Sequence, residues 1–112
     1  MTTEQIVKAL ELKVYTGGDM STQEVTGGYV SDLLSDVMGH AKEGEVWITL
    51  QSHVNVVAIA SLKELAAIVL VKGIKPEQAV LEKAEEEGIS VLGTLEDTFT
   101  ISGKLFQLLN KE

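Results

Sequence analysis

The sequence predicts an α/β layered fold, a mainly parallel, short-stranded sheet flanked by helices. Two patterns carry that expectation. Segments with an apolar stripe at the helical period alternate along the chain with short runs rich in Val and Ile. That order favours parallel strands joined by helical crossovers. The length of 112 residues, 45% of them hydrophobic, gives room for one core in one domain spanning 1–112. Aromatic residues make up only 4% of the chain, so the core must be aliphatic.

Taken in order, the first element is a helix. Thr2 and Gln5 have capping-box spacing, and Ile6, Val7 and Leu10 recur on one face behind them. Leu12 and Val14 alternate with polar neighbours in a short strand ending at Tyr15, and Thr16-Gly17-Gly18-Asp19 reads as a turn. Glu24-Val25-Thr26 is a short β-favouring segment leading into Gly27-Gly28, a pair that permits φ > 0 and leaves free N–H groups. An amphipathic helix is expected directly after the pair. Val30, Leu33, Leu34, Val37, Met38 and Ala41 keep its apolar spacing, Ser31 and Asp32 suit its positive end, and Gly44 closes it.

The second half repeats the alternation. Glu45 to Leu50 reads as a strand by its β-branched and aromatic content. Residues 53–65 fit a helix through Val54, Val57, Ala58, Ser61, Leu62 and Leu65, while a strand at 54–60 is the competing reading. The continued period through Ser61-Leu62-Lys63-Glu64-Leu65 favours the helix. Val56, Ile59 and Ala60 make it apolar nearly all round, so it must be buried or covered by a partner subunit. Ala66 to Val71 reads as a strand buried on both faces. Pro76 stands at an expected first helical position, Val80, Leu81 and Ala84 face inward, and Gly88 stops that helix. Ile89 to Leu92 is a further strand; Asp97 or Thr98 then caps a last helix with an Ile101, Leu105, Leu108, Leu109 stripe.

Composition excludes several classes. The formal charge is −8, and the nine basic residues are all Lys with none in a run, which opposes nucleic-acid binding. No apolar run approaches the roughly 18 residues of a membrane span. Met1 to Gln5 lacks the basic and apolar regions of a signal peptide, so a cytoplasmic protein is expected. The absence of Cys rules out disulfides and thiolate metal sites. No phosphate-binding loop, catalytic triad or paired-carboxylate motif stands in the chain. No cofactor or metal site is expected.

The ordered segments resemble the DRTGG domain family over essentially the whole chain. The resemblance rests on Glu24-Val25-Thr26-Gly27-Gly28, on Leu50-Gln51-Ser52, on Val69 to Pro76 and on Ile89 to Thr94. Asp97 to Leu105 is similar to the end of the N-terminal domain of HPr kinase/phosphorylase, and related segments lie within long phosphate acetyltransferases. Thr26, Gly27 and Gly28 match the signature, whereas its Asp and Arg are Glu24 and Val25 here. Without that Arg the turn lacks a bidentate anion clamp. The resemblance implies a small α/β module of the HPr-kinase N-terminal-domain type, often dimeric and with no catalysis of its own.

The residues themselves offer two candidate binding segments. One is the Thr26-Gly27-Gly28 turn with Ser31, where free N–H groups and a helix N-terminus suit an anion. The other is Gln51, Ser52, His53 and Asn55, directly after a strand, where open α/β sheets collect ligands; the same residues can equally cap the next helix. His40 lies four residues after Asp36 and reads as a surface pair. The expected function is a non-catalytic regulatory or assembly module. It would act as a homodimer, docking to a partner enzyme or sensing a small anionic or nucleotide ligand. The alternative is a small enzyme, or a detached enzyme subunit, with its site around residues 51–55 and the glycine turns.

Overall fold

A computed structural model of the chain describes residues 1–111. Ten elements follow in order: α1 (Thr3–Leu10), β1 (Lys13–Thr16), β2 (Gly27–Val30), α2 (Leu34–His40), β3 (Glu45–Thr49), α3 (Asn55–Leu62), β4 (Ala67–Leu70), α4 (Gln78–Glu87), β5 (Val91–Gly93) and α5 (Thr98–Leu109). The strands form one sheet in the order β1-β5-β4-β3-β2. β2 to β5 are mutually parallel, each joined to its neighbour by one helix, and only β1 runs antiparallel, on β5. The sheet is thus mixed but mainly parallel.

Helices cover both faces. Trp47, Ile68 and Leu70 point to one side, where they pack with Val37 of α2, Val56 and Val57 of α3, and Val80 and Ala84 of α4. Val46, Ile48, Val69 and Leu92 point to the other, against Ile6 of α1 and Ile101 and Leu105 of α5. Strands enclosed this way read as unbroken apolar runs, as 46–48 and 67–71 do.

Local chemistry sets the ends of the elements. Thr2 and Gln5 form the capping box of α1, with Thr2 Oγ1 accepting from the Gln5 N–H at 3.2 Å. Asp97 caps α5, and Gly88 ends α4 in the left-handed region. The stretch expected at 53–65 is helical rather than extended, but only over Asn55–Leu62; the chain has left the helix before Leu65.

Four local expectations fail. Gly27-Gly28 is no turn: both glycines lie in β2, opposite Glu45 and Val46, and neither has positive φ. The helix consequently starts at Leu34, not at Val30; Val30 is a strand residue, and Leu33 is exposed. The parallel ladder with β3 supplies β2 with hydrogen bonds and overrides a helical spacing that Val30 matches by coincidence. Gly44 does not end α2, which stops at His40. Instead Gly44 adopts φ +83° in the turn before β3, where a Cβ would fall 2.7 Å from Thr26 Cγ2. Pro76 lies before the cap residue Glu77 rather than at the first helical position.

The apolar far side of α3 needs no partner. Val56 is wholly buried and Ile59 nearly so, because α2 and α4 flank α3 on the same sheet face. Burial within one copy therefore accounts for the apolar far side of α3 without a dimer.

Candidate functional site

The eight residues singled out in the sequence do not form one site. Thr26, Gly27 and Gly28 lie where β2 begins, beside Glu45 at the start of β3. Ser31, Gln51, Ser52, His53 and Asn55 follow the other ends of β2 and β3. The two groups are separated by the length of the strands.

The carboxyl ends of β2 and β3 carry a tied polar cluster. Asp32 Oδ1 accepts from the Thr49 hydroxyl at 2.8 Å and from the Leu50 N–H at 2.7 Å. Gln51 Nε2 donates to the Asp32 carbonyl at 2.9 Å, and Trp47 Nε1 donates to the Ser31 carbonyl at 2.8 Å. These bonds lash the loop after β2 to the turn after β3. Ser31 Oγ accepts from the Leu33 N–H at 3.2 Å, a local turn rather than a helix cap. His53 Nδ1 faces the Asn55 N–H at 3.3 Å, on the first turn of α3. The exposed His53 ring therefore serves the helix start, and much of the donor and acceptor capacity here is engaged internally.

Beside this cluster Tyr29 donates its hydroxyl proton to Asp36 Oδ2 at 2.9 Å, and His40 Nδ1 lies 3.2 Å from Asp36 Oδ1. The neighbouring Ser31 hydroxyl, then that of Tyr29, hold the Asp36 carboxyl below its ordinary range. Desolvation, then the bond to Asp36, pushes the Tyr29 phenol upward. A carboxylate held ionised and a phenol held neutral form a stable polar pair. Neither is poised for proton transfer near neutrality. Among the described residues no group of three or more His, Asp or Glu side chains could hold a metal ion.

Thr26, Gly27 and Gly28 belong to a different feature, a groove of about 570 Å³ between β2 and α5. Gly28, Val30 and Ile48 line it from the sheet, and Phe99, Ser102, Gly103, Leu105 and Phe106 from α5. The absent Cβ of Gly28 lets α5 lie on the strand, since a Cβ would come 3.1 Å from Leu105 Cδ2. Thr26 has both of its donors engaged. Its hydroxyl donates to the Glu43 carbonyl at 2.8 Å and its N–H to the Gly44 carbonyl at 2.9 Å. The Ser102 hydroxyl is buried without a hydrogen-bond partner. β2 ends the sheet, so one side of its backbone is unpaired.

The sequence reading missed this groove. Phe99 is 89% exposed and Phe106 69% exposed, both large apolar side chains outside the buried α5 stripe. Their seven-residue spacing, flanking Ser102-Gly103, was visible as a second stripe on the same helix.

The profile of the DRTGG domain family matches residues 5–108. No curated protein sequence matches the chain. Among solved structures, the chain is similar to the CBS and DRTGG domains of the regulatory region of Clostridium perfringens pyrophosphatase. That region was crystallised with its activator, diadenosine tetraphosphate. The TM-score is 0.75 at 17% identity, over 93% of this chain but only 45% of the neighbour.

Proposed function

This chain belongs to the DRTGG domain family, and from that premise we propose that it is a non-catalytic regulatory or assembly module. In this reading it works as a homodimer that docks to a partner enzyme or senses a small anionic or nucleotide ligand. One observation carries it. The prominent unsatisfied surface is apolar, the outer side of α5 with the open edge of β2, while the polar clusters are engaged internally. Exposed contiguous apolar surface marks interaction sites, whereas a catalytic centre needs free, poised polar groups.

Ligand sensing is placed at the other end of the strands, on Ser52, His53 and Asn55 at the start of α3. Asp32 puts a negative charge beside this turn, and the Asn55, Val56 and Val57 N–H groups already have acceptors, so anion affinity there must come from the dipole of α3 and the Ser52, His53 and Asn55 side chains. A nucleotide is the first class to try, because the similar regulatory region was solved with one.

Thermal unfolding against a panel of nucleotides, phosphorylated metabolites and divalent metals tests the reading. A ligand at 100 times its Kd adds about 2.7 kcal/mol of stability, a shift of many degrees for a domain of this size. We expect a nucleotide to raise the melting temperature and His53→Ala to shrink that rise. A flat panel would remove the sensing role and leave assembly. A shift untouched by His53→Ala would move the site away from this turn.

A further inference from the structure

We infer that the outer face of α5 seats a second copy of this chain. The two α5 helices would run antiparallel across a two-fold axis near Gly103. The inference rests on the homodimeric reading above and gives it a surface.

Four observations favour a second copy over another occupant. The first is the pattern. Phe99 and Phe106 stand on either side of Ser102-Gly103 on one helix face. An antiparallel pair centred there places each Phe99 against Phe106 of the other copy, while the two backbones approach at the glycines. A two-fold contact must be self-complementary, and this stripe is.

The second is Gly103 itself. A Cβ added there would meet nothing within 4 Å, and its φ is not in the left-handed region. Glycine weakens a helix interior relative to alanine. Nothing among the described residues requires it at 103, whereas a close-packed neighbouring helix would.

Third, the area suffices. Phe99 and Phe106, 89% and 69% exposed, present on the order of 300 Å² on the scale of an aromatic side chain. With Val30 and the groove rim, two copies would bury on the order of 1,000 Å², the lower bound of a specific interface.

Fourth, the charge permits it. α5 carries no carboxylate and a single Lys, in a chain of net charge −8. Two copies can meet through this helix without bringing their acidic excess together. The densest acidic run is on α4, at Glu82, Glu85, Glu86 and Glu87, while Glu96 and Asp97 precede α5 and Glu45 borders the groove.

The test uses the full chain. It contains no Cys, so Gly103→Cys introduces a single thiol beside the inferred axis. Under mild oxidation that variant should form a covalent dimer. Leu62→Cys, at an exposed position on α3 on the opposite sheet face, should stay uncrosslinked. In light scattering the unmodified chain should have twice the monomer mass. Phe106→Glu should have the monomer mass with an unchanged circular dichroism spectrum, and the milder Phe106→Gln guards against misfolding. A dimer that survives Phe106→Glu and Phe106→Gln, with no crosslink through Cys at 103, would overturn the inference while the homodimeric reading stands. A monomeric unmodified chain at micromolar concentration would overturn both.

Discussion

Asp97 shows how much a single side chain decides. It stands before α5, and its Oδ1 accepts from the Thr100 N–H at 2.8 Å, satisfying one of the free donors of the helix start. The Thr100 N–H, then the Thr100 side chain and the charge of Lys72, hold its carboxyl below the ordinary range. A depressed carboxyl contributes stability that is full above its unfolded value, about 3.9, and is lost as pH falls through the folded value. Asp36 has the same sign, and its loss falls in the same acid window. Tyr29 has the opposite sign, its contribution lost only as pH rises past about 10. We therefore expect Asp97→Ala to lower the urea midpoint at pH 7 and to lose most of that deficit at pH 2.5. An equal deficit at both pH values would mean that the ionised carboxylate has no special role at this cap.

At the scale of elements, α3 separates two explanations of an apolar helix. An all-round apolar sequence signals either burial within the chain or burial against a second copy. Here α2 and α4 close over it, and Val56 and Val57 are wholly buried. Val56→Asp would place a charge among aliphatic neighbours with no partner, at a cost of about 4 kcal/mol or more. That approaches the whole stability of a domain at the low end of the usual range of about 5–15 kcal/mol. The variant should be unfolded by circular dichroism at 25 °C, whatever the oligomeric state. A folded variant that had merely become monomeric would instead make α3 an interface helix.

The same element explains what was legible in the sequence. Helix content, the strand runs at 46–48 and 67–71, and the caps at Thr2, Gly88 and Asp97 follow from local period and hydrogen-bond chemistry. β2 did not, since Gly27-Gly28-Tyr29-Val30 has weak strand propensity and gains its ladder only from β3. Reading that glycine pair as a turn then misjudged the site. Thr26, Gly27 and Gly28 pair with the start of β3, while Gln51 and His53 follow its end. Register is non-local information, and no spacing along the chain encodes it. The two Phe residues of α5 were readable, because both fall on the face left by the Ile101 and Leu105 stripe.

For the whole molecule, the question is whether folding and association are linked. The chain of 112 residues has a filled core on both sheet faces, so one copy can fold alone. Its outer α5 face nevertheless leaves two Phe rings in water, at an apolar cost of about 25 cal/mol per Å². The proposed second copy would bind only the folded state, and mass action would then tie apparent stability to protein concentration. For a dimer that dissociates on unfolding, each tenfold rise in chain concentration adds about 1.4 kcal/mol per mole of dimer. Spread over two chains, that corresponds to a melting-temperature rise of roughly 3–5 °C per decade in a domain of this size. Melting curves at 2, 20 and 200 μM should show that drift, about 2 orders of magnitude in concentration sufficing to resolve it. Phe106→Glu should abolish it and melt at one temperature throughout. A melting temperature independent of concentration in the unmodified chain would mean that no second copy covers the exposed Phe rings.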